Sequence, residues 1–312
     1  MHHWLSVTLL LLAGFAATGC QGAFRAARDV SLDVAWADYD SIIVRTANGR
    51  VDLAVGPPGL ARITGSRTAT GATPADAESA LDDFEVVAEP ASGAPRTLVV
   101  ELRPPTLPAR SIGASLAIRV PRACAAEVHA TNGSIRIDGM CGPLEARSSN
   151  GSIELRNCAG DARLYTSNGR VDAGAVAGRL EAVTSNGNCI ARDIGGDARI
   201  ETSNGNVELT AARGGVQIET SNGSVTLDAV PPAAGRVVVR TSNGSIDACL
   251  PASLDADLLL HAGNGRLDTQ FGDVPMKLRR IERSHLEAVM NAGGGHVEAR
   301  TSNGDIRLRC RG

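Results

Sequence analysis

Apolar and polar residues alternate in short bursts along most of this chain, and the bursts return at a fixed interval. Within residues 206–223, Val207 and Leu209 alternate with polar neighbours, and Val216 and Ile218 repeat the alternation. Period-two patterning marks half-buried strands, so this unit is predicted to hold two short strands, with turns at 211–215 and 221–223. The same phases recur elsewhere, with Ile135, Ile137, Ile153 and Leu155 in the first strand of a unit. Leu144, Ala146, Ala162, Leu164, Ala198 and Ile200 occupy the second strand. All of these are predicted to point inward.

The interval is set by Asn-Gly pairs. From Asn132 they fall at Asn150, Asn168, Asn186, Asn204 and Asn222 in steps of 18 residues, then at Asn243 and Asn264 in steps of 21. Six are part of Thr-Ser-Asn-Gly, starting at Thr166, Thr184, Thr202, Thr220, Thr241 and Thr301; the last of these contains Asn303. A fixed period means stacked units, none of which buries its own apolar face alone. The predicted class is all-β, a parallel β-solenoid with coils of about 18–21 residues.

Asn-Gly between alternating strands is also a hairpin signal, so an antiparallel β-meander is the alternative. The outward positions favour the coil. Glu145, Arg163, Glu181, Arg199 and Gln217 stand at one phase of successive units. That alternation of sign makes sense if residues 18 apart are cross-strand neighbours. Asn at one phase likewise fits a ladder of stacked amides at a corner, formed by Asn132, Asn150, Asn168, Asn186, Asn204, Asn222, Asn243, Asn264 and Asn303. At such a corner Asn tolerates the left-handed conformation and Gly takes positive φ freely.

The regular repeat covers residues 131–312, with an interruption at 266–295. Residues 30–130 form a less regular part with strand-like runs at 41–45, 51–55, 98–102 and 116–120. Thr73-Pro74 followed by Asp76, Glu78 and Leu81 reads as an N-capped helical insertion near 73–82.

Only 3% of the 312 residues are aromatic while 35 are Gly, so the core is thin and filled by aliphatic residues. Net charge is −3 and Lys277 is the only lysine, so no polybasic segment invites nucleic acid. Residues 1–19 read as an export signal and 20–29 as a short tether. Ala17-Thr18-Gly19-Cys20 resembles the lipobox of bacterial lipoproteins, which implies lipidation at Cys20 and attachment to the membrane through that lipid. Gln21 follows where the inner-membrane retention signal has Asp, which implies the outer membrane in a two-membrane cell; a plain secretory peptide is the alternative. Cys124, Cys141 and Cys158 are spaced by 17, nearly one coil, and Cys141 with Cys158 is the favoured disulfide. No CxxC accompanies them, and neither a metal site nor a cofactor is expected.

The Asn-Gly turns followed by Ser-Ile, Ser-Val or Asp-Ile, ending in Thr301-Ser-Asn-Gly-Asp-Ile306, resemble the DUF4097 family of adhesin-like bacterial proteins. The resemblance covers roughly residues 30–312. It implies a right-handed β-solenoid displayed at the cell surface, and it brings no catalytic motif. His129, His261, His285 and His296 are scattered, without a metal-protease or hydrolase motif beside them. The expected function is that of a non-catalytic envelope lipoprotein, an adhesin or scaffold acting through surface contacts with a protein or glycan. A polysaccharide-binding or polysaccharide-degrading enzyme on a β-helix, or a partner of an envelope-stress sensor, are the alternatives. Lys277, Arg279, Arg280 and Arg283, in the interruption, are the candidate ligand surface, because long loops on rigid scaffolds carry function; a hairpin with charged edges is the competing reading.

Overall fold

The computed structural model describes residues 23–103, 111–122, 124–233 and 235–312. Cys20 and the export signal lie outside them. The chain divides into two compact units, one ending at Gly151 and the other spanning Ser152–Gly312. The division falls about one coil after residue 131, where the regular repeat was expected to begin.

The first unit runs β1 (Phe24–Ala35), β2 (Ser41–Thr46), β3 (Val51–Val55), β4 (Leu60–Gly71), α1 (Pro74–Asp82), β5 (Glu85–Ala91), β6 (Ala94–Arg103), β7 (Ile112–Val120), β8 (Ala125–Ala130), β9 (Ile135–Asp138) and β10 (Leu144–Ser148). Its strands form two layers, in the orders β1-β4-β7-β3-β9 and β10-β8-β2-β6-β5. β1 begins at Phe24 and pairs antiparallel with β4 from Phe24 opposite Gly71. Residues 24–29 are therefore strand rather than the expected tether, because their backbone groups find partners on β4. Thr73 caps α1, its hydroxyl accepting from Asp76 N at 3.1 Å while its own N–H donates to the Asp76 carboxylate at 3.1 Å. Ala77, Ala80 and Leu81 of α1 bury against Ala26, Ala69 and Phe84, so the helix covers the β1–β4 pair.

The second unit continues with β11 (Ile153–Cys158), β12 (Ala162–Thr166), β13 (Val171–Val176), β14 (Leu180–Thr184), β15 (Cys189–Ile194), β16 (Ala198–Thr202), β17 (Val207–Ala212), β18 (Val216–Thr220), β19 (Val225–Ala229), β20 (Arg236–Thr241), β21 (Ile246–Pro251) and β22 (Ala256–Ala262). It closes with β23 (Leu267–Gln270), β24 (Met276–Glu282), β25 (His285–Met290), β26 (Gly295–Thr301) and β27 (Ile306–Arg311). Odd strands from β11 to β21 stack in one sheet and even strands from β12 to β20 in the other, all parallel. Ile153 lies opposite Val171 and Ala162 opposite Leu180, an 18-residue register. This is the parallel solenoid; the meander is excluded.

Inward residues alternate as the sequence pattern requires, but in β11, β13, β15 and β17 a third side chain is buried after two successive outward residues. Cys158, Val176, Ile194 and Ala212 follow residues with positive φ, namely Asn157, Ala175, Asp193 and Ala211, at φ 54–56°. In these four coils one left-handed residue lets two successive residues face outward, and the next turns back into the core. The turn expected to begin at 211 is thus a kink inside β17.

Thr-Ser-Asn-Gly is the other corner, and its chemistry differs from the expected left-handed turn. Neither its Asn nor its Gly residues have positive φ. The threonines are buried, and their hydroxyls donate to glycine carbonyls of the preceding coil: Thr184 to Gly169 at 3.0 Å, Thr202 to Gly187 at 3.1 Å and Thr220 to Gly205 at 3.2 Å. Each asparagine donates its Nδ2 to the preceding Oδ1: Asn186 to Asn168, Asn204 to Asn186 and Asn222 to Asn204, at 2.8–2.9 Å. In the first unit Asn132 donates to Asn48 and Asn150 to Asn132. Glycine is required by proximity, since a Cβ on Gly205 would stand 2.0 Å from the Gly187 carbonyl oxygen.

The last coil breaks sequential order. β26 pairs with both β20 and β22, and β27 with both β21 and β23. Asn303 accordingly donates to Asn243 and receives from Asn264. In the first unit β2 lies between β6 and β8, and β3 between β7 and β9, in the same manner. The interruption at 266–295 forms an antiparallel hairpin, β24–β25, joined to β22.

Two substitutions test the corners. Gly205→Ala is expected to lower stability by about 1–3 kcal/mol, because the added carbon forces two coils apart. Ala211→Asn, placing a residue that tolerates left-handed backbone at an exposed kink, is expected to raise stability by up to about 1 kcal/mol. Denaturant unfolding of both variants against the parent checks the two signs.

Candidate contact surfaces

The outward side chains of the second unit are arranged in rows by the parallel register. Val183, Glu201, Glu219 and Arg240 form one row across β14, β16, β18 and β20. With Ser185, Ser203, Ser221 and Ser242 they line a groove of about 350 Å³ beside the asparagine ladder. The serine hydroxyls recur at about the 4.8 Å strand spacing, each able to donate and accept. The carboxylates are already engaged: Arg199 holds Glu201, and Glu219 accepts from Gln217 Nε2 at 3.1 Å and lies 3.9 Å from Arg240. Such a groove suits an extended polar chain held by many weak hydrogen bonds better than it suits acid–base chemistry.

A second groove, of about 580 Å³, lies on the other sheet across β19, β21, β27 and β23. Its charges are similarly paired, with Arg307 at 3.0 Å from Asp268 and 3.6 Å from Asp247.

The basic residues expected to form a ligand surface lie on or beside the β24–β25 hairpin and are exposed. Arg279 pairs with Asp257 at 3.1 Å and Arg280 with Glu282 at 2.7 Å. The hydrogen bond from Arg280 to Glu282 and their mutual attraction raise the guanidinium pKa above its ordinary value. Beside them Leu278 and Ile281 are 55% and 68% exposed. Leu278 lies opposite Ala288 and Ile281 opposite Leu286, whose side chains are buried. The apolar face of the sheet thus continues onto its terminal strand, β24, where it is uncovered. Residue type alone points to the cations, whereas Leu278 and Ile281, apolar residues in a charged stretch, are the signal for this uncovered face.

Cys141 and Cys158 are present as thiols, so the expected disulfide is not formed in this structure. Their surroundings differ: Cys158 ends β11 pointing into the core, with its thiol 3.4 Å from the Gly160 carbonyl, while Cys141 lies in a turn and accepts from Arg122 Nε at 3.0 Å. Burial raises the thiol pKa of Cys124 and Cys189 to about 12, leaving both as small core residues.

His261 and His285, scattered in sequence, come together in space, Nδ1 to Nδ1 at 3.4 Å. The third notable cluster surrounds Glu298. Its carboxylate is buried, which opposes ionisation, but hydrogen bonds from Arg240 and His296 and the charge of Arg300 outweigh burial and hold its pKa below the ordinary value. A carboxyl whose folded pKa is depressed contributes stability above its unfolded pKa of about 4.3 and loses it as pH falls through the folded value. Glu298→Gln is therefore expected to destabilise the protein at pH 7, with the difference from the parent shrinking below about pH 4. Unfolding midpoints measured from pH 7 down to 3 test this.

No helix among the described residues is long and apolar enough to cross a membrane. Residues 195–309 match the family described as Toastrack DUF4097. No curated protein sequence matches the chain. Among solved structures, the chain is similar to a "putative adhesin" from Bacteroides fragilis NCTC 9343, at 12% identity over 71% of this chain and 97% of the other, with a TM-score of 0.38. It is also similar to one so described from Parabacteroides distasonis ATCC 8503, at 9% identity over 91% and 96%, again with a TM-score of 0.38.

Proposed function

We propose, taking residues 195–309 as a Toastrack DUF4097 segment, that this protein is a non-catalytic envelope lipoprotein. It is anchored through Cys20 in the outer membrane and acts as an adhesin-like or scaffolding solenoid. The observation that carries the contact role is the open terminal strand β24. Unpaired backbone groups on its free side, Leu278 and Ile281 on its uncovered apolar face, and Lys277 and Arg283 without an ion pair among the described residues combine affinity with charge selection. A partner strand with apolar residues at alternate positions and acidic flanks would satisfy all three. The serine groove offers a second, more polar contact for a glycan or peptide. The ion-paired faces supply rigidity, because each row of charges is shared along stacked strands.

The anchor and the contact surface are tested together on intact cells. Protease and antibody access to residues 130–312 is expected in the parent and lost from the cell surface in Cys20→Ala. Leu278→Asp with Ile281→Asp is expected to abolish attachment or partner capture while leaving display unchanged. Protection of the protein until the envelope is broken would overturn surface display, and full attachment by the double variant would overturn the contact role of β24.

A further inference from the structure

The hairpin carries a second chemistry on its opposite, outward face. β22 pairs antiparallel with β25 so that His261 stands directly across from His285, and their Nδ1 atoms lie 3.4 Å apart, with the rings at 66° to one another. For one pairing of tautomers this is an N–H···N hydrogen bond, longer than the 2.7–3.2 Å usual for N–H···O. Two imidazoles sharing a tetrahedral metal ion at about 2.0–2.1 Å would place their nitrogens about 3.3–3.4 Å apart.

The tautomer is set by a neighbour. His285 Nε2 lies 2.8 Å from Glu287 Oε1. An ionised carboxylate only accepts, so this contact favours the tautomer of His285 that carries its proton on Nε2 and presents the Nδ1 lone pair toward His261. A carboxylate behind the distal nitrogen of a histidine is the arrangement that orients metal-ligating imidazoles. The cation nearest in register, Arg300 opposite His261 on β26, is turned onto Glu298 at 2.8 Å. Arg280 is occupied by Glu282. His261 is exposed and His285 half-buried, so the pair is approached from the His261 side.

We propose that His261 and His285 form a two-histidine clip for a divalent transition cation of the zinc or nickel class, with Glu287 as the positioning residue. No group of three or more His, Cys, Asp or Glu side chains suited to a metal occurs among the described residues, so water fills the remaining positions. The clip ties β22 to β25 and thereby fixes the hairpin that presents Leu278 and Ile281. It does not depend on the adhesin reading, since it rests on the imidazole geometry alone.

The test is equilibrium dialysis of the full chain against ZnCl2 and NiCl2, comparing the parent with His261→Gln, His285→Gln and the double variant. Circular dichroism confirms that each is folded. His2 and His3 contribute the same background to every variant. The double variant is expected to lose one bound ion per chain, each single variant to bind at least about tenfold more weakly, and His129→Gln to bind as the parent does. Glu287→Gln is expected to weaken binding by about tenfold without removing the site. In the parent, zinc is expected to move the imidazole Nδ1 resonances of both histidines while the Nε2 resonance of His285 keeps its proton. Equal stoichiometry and affinity in the parent and the double variant, or coordination through Nε2, would overturn the proposal.

Discussion

Glycine backbones one coil apart approach too closely for any side chain between them, and the rest of the corner is built around that approach. A Cβ on Gly187, Gly205, Gly223 or Gly244 would lie within 2.0 Å of the preceding glycine's carbonyl oxygen. Strand spacing of about 4.8 Å leaves no room for a side chain there. Once glycine permits the approach, its carbonyl is available to the threonine hydroxyl of the following coil, and the asparagine one place earlier is brought into amide contact with its counterpart. One steric constraint thus selects three of the four residues in Thr-Ser-Asn-Gly, while the serine is left facing the groove. Each hydrogen bond is worth only about 0.5–1.5 kcal/mol net. Their repetition in register makes slippage of one coil costly in every bond it would misalign.

The same register organises the surface. Because residues 18 apart are neighbours, side chains on adjacent strands come within reach of one another, and ion pairs form on the diagonal where like charges lie directly across, as Glu154 does from Asp172. Asp172 illustrates the result. Burial disfavours its charge, but the hydrogen bond from Arg156 and the charges of Arg156 and Arg170 prevail and keep its pKa below the ordinary value. Exposed pairs of this sort add little stability one by one. Their larger effect is to offset charge locally across the faces.

Much of this was legible in the sequence. Val207, Leu209, Val216 and Ile218 announced two strands per coil, and Glu145 through Gln217 announced parallel pairing, because both signals are local or strictly periodic. The threading of β26 between β20 and β22 was not legible. All Thr-Ser-Asn-Gly copies are chemically equivalent, so an asparagine at the ladder's phase does not specify which asparagine it stacks on; the connection through the β24–β25 hairpin decides that. The kink residues were hidden for a different reason. Asn157, Ala175, Asp193 and Ala211 share backbone conformation but no side-chain type, so composition gives no signal. The disulfide expectation counted spacing along the coil and overlooked side-chain direction, which sends Cys158 inward.

The candidate sites follow the same division. A coil that repeats in register satisfies its neighbours and holds many of its outward charges in ion pairs. The hairpin at residues 276–290 obeys antiparallel pairing instead, with a bulge between Leu278 and Arg280. That change of rule uncovers two apolar side chains on one face and brings two histidines from separate strands together on the other. Neither feature follows from the 18-residue period, which is why residue types alone pointed to the arginines. Terminal strands of a stack must be protected from adding further copies, and charge does this. Here Arg279 is paired with Asp257 of β22 and Arg280 with Glu282 of the hairpin itself. The strand edge is therefore guarded by Lys277 and Arg283, which makes it selective in what it will accept rather than closed.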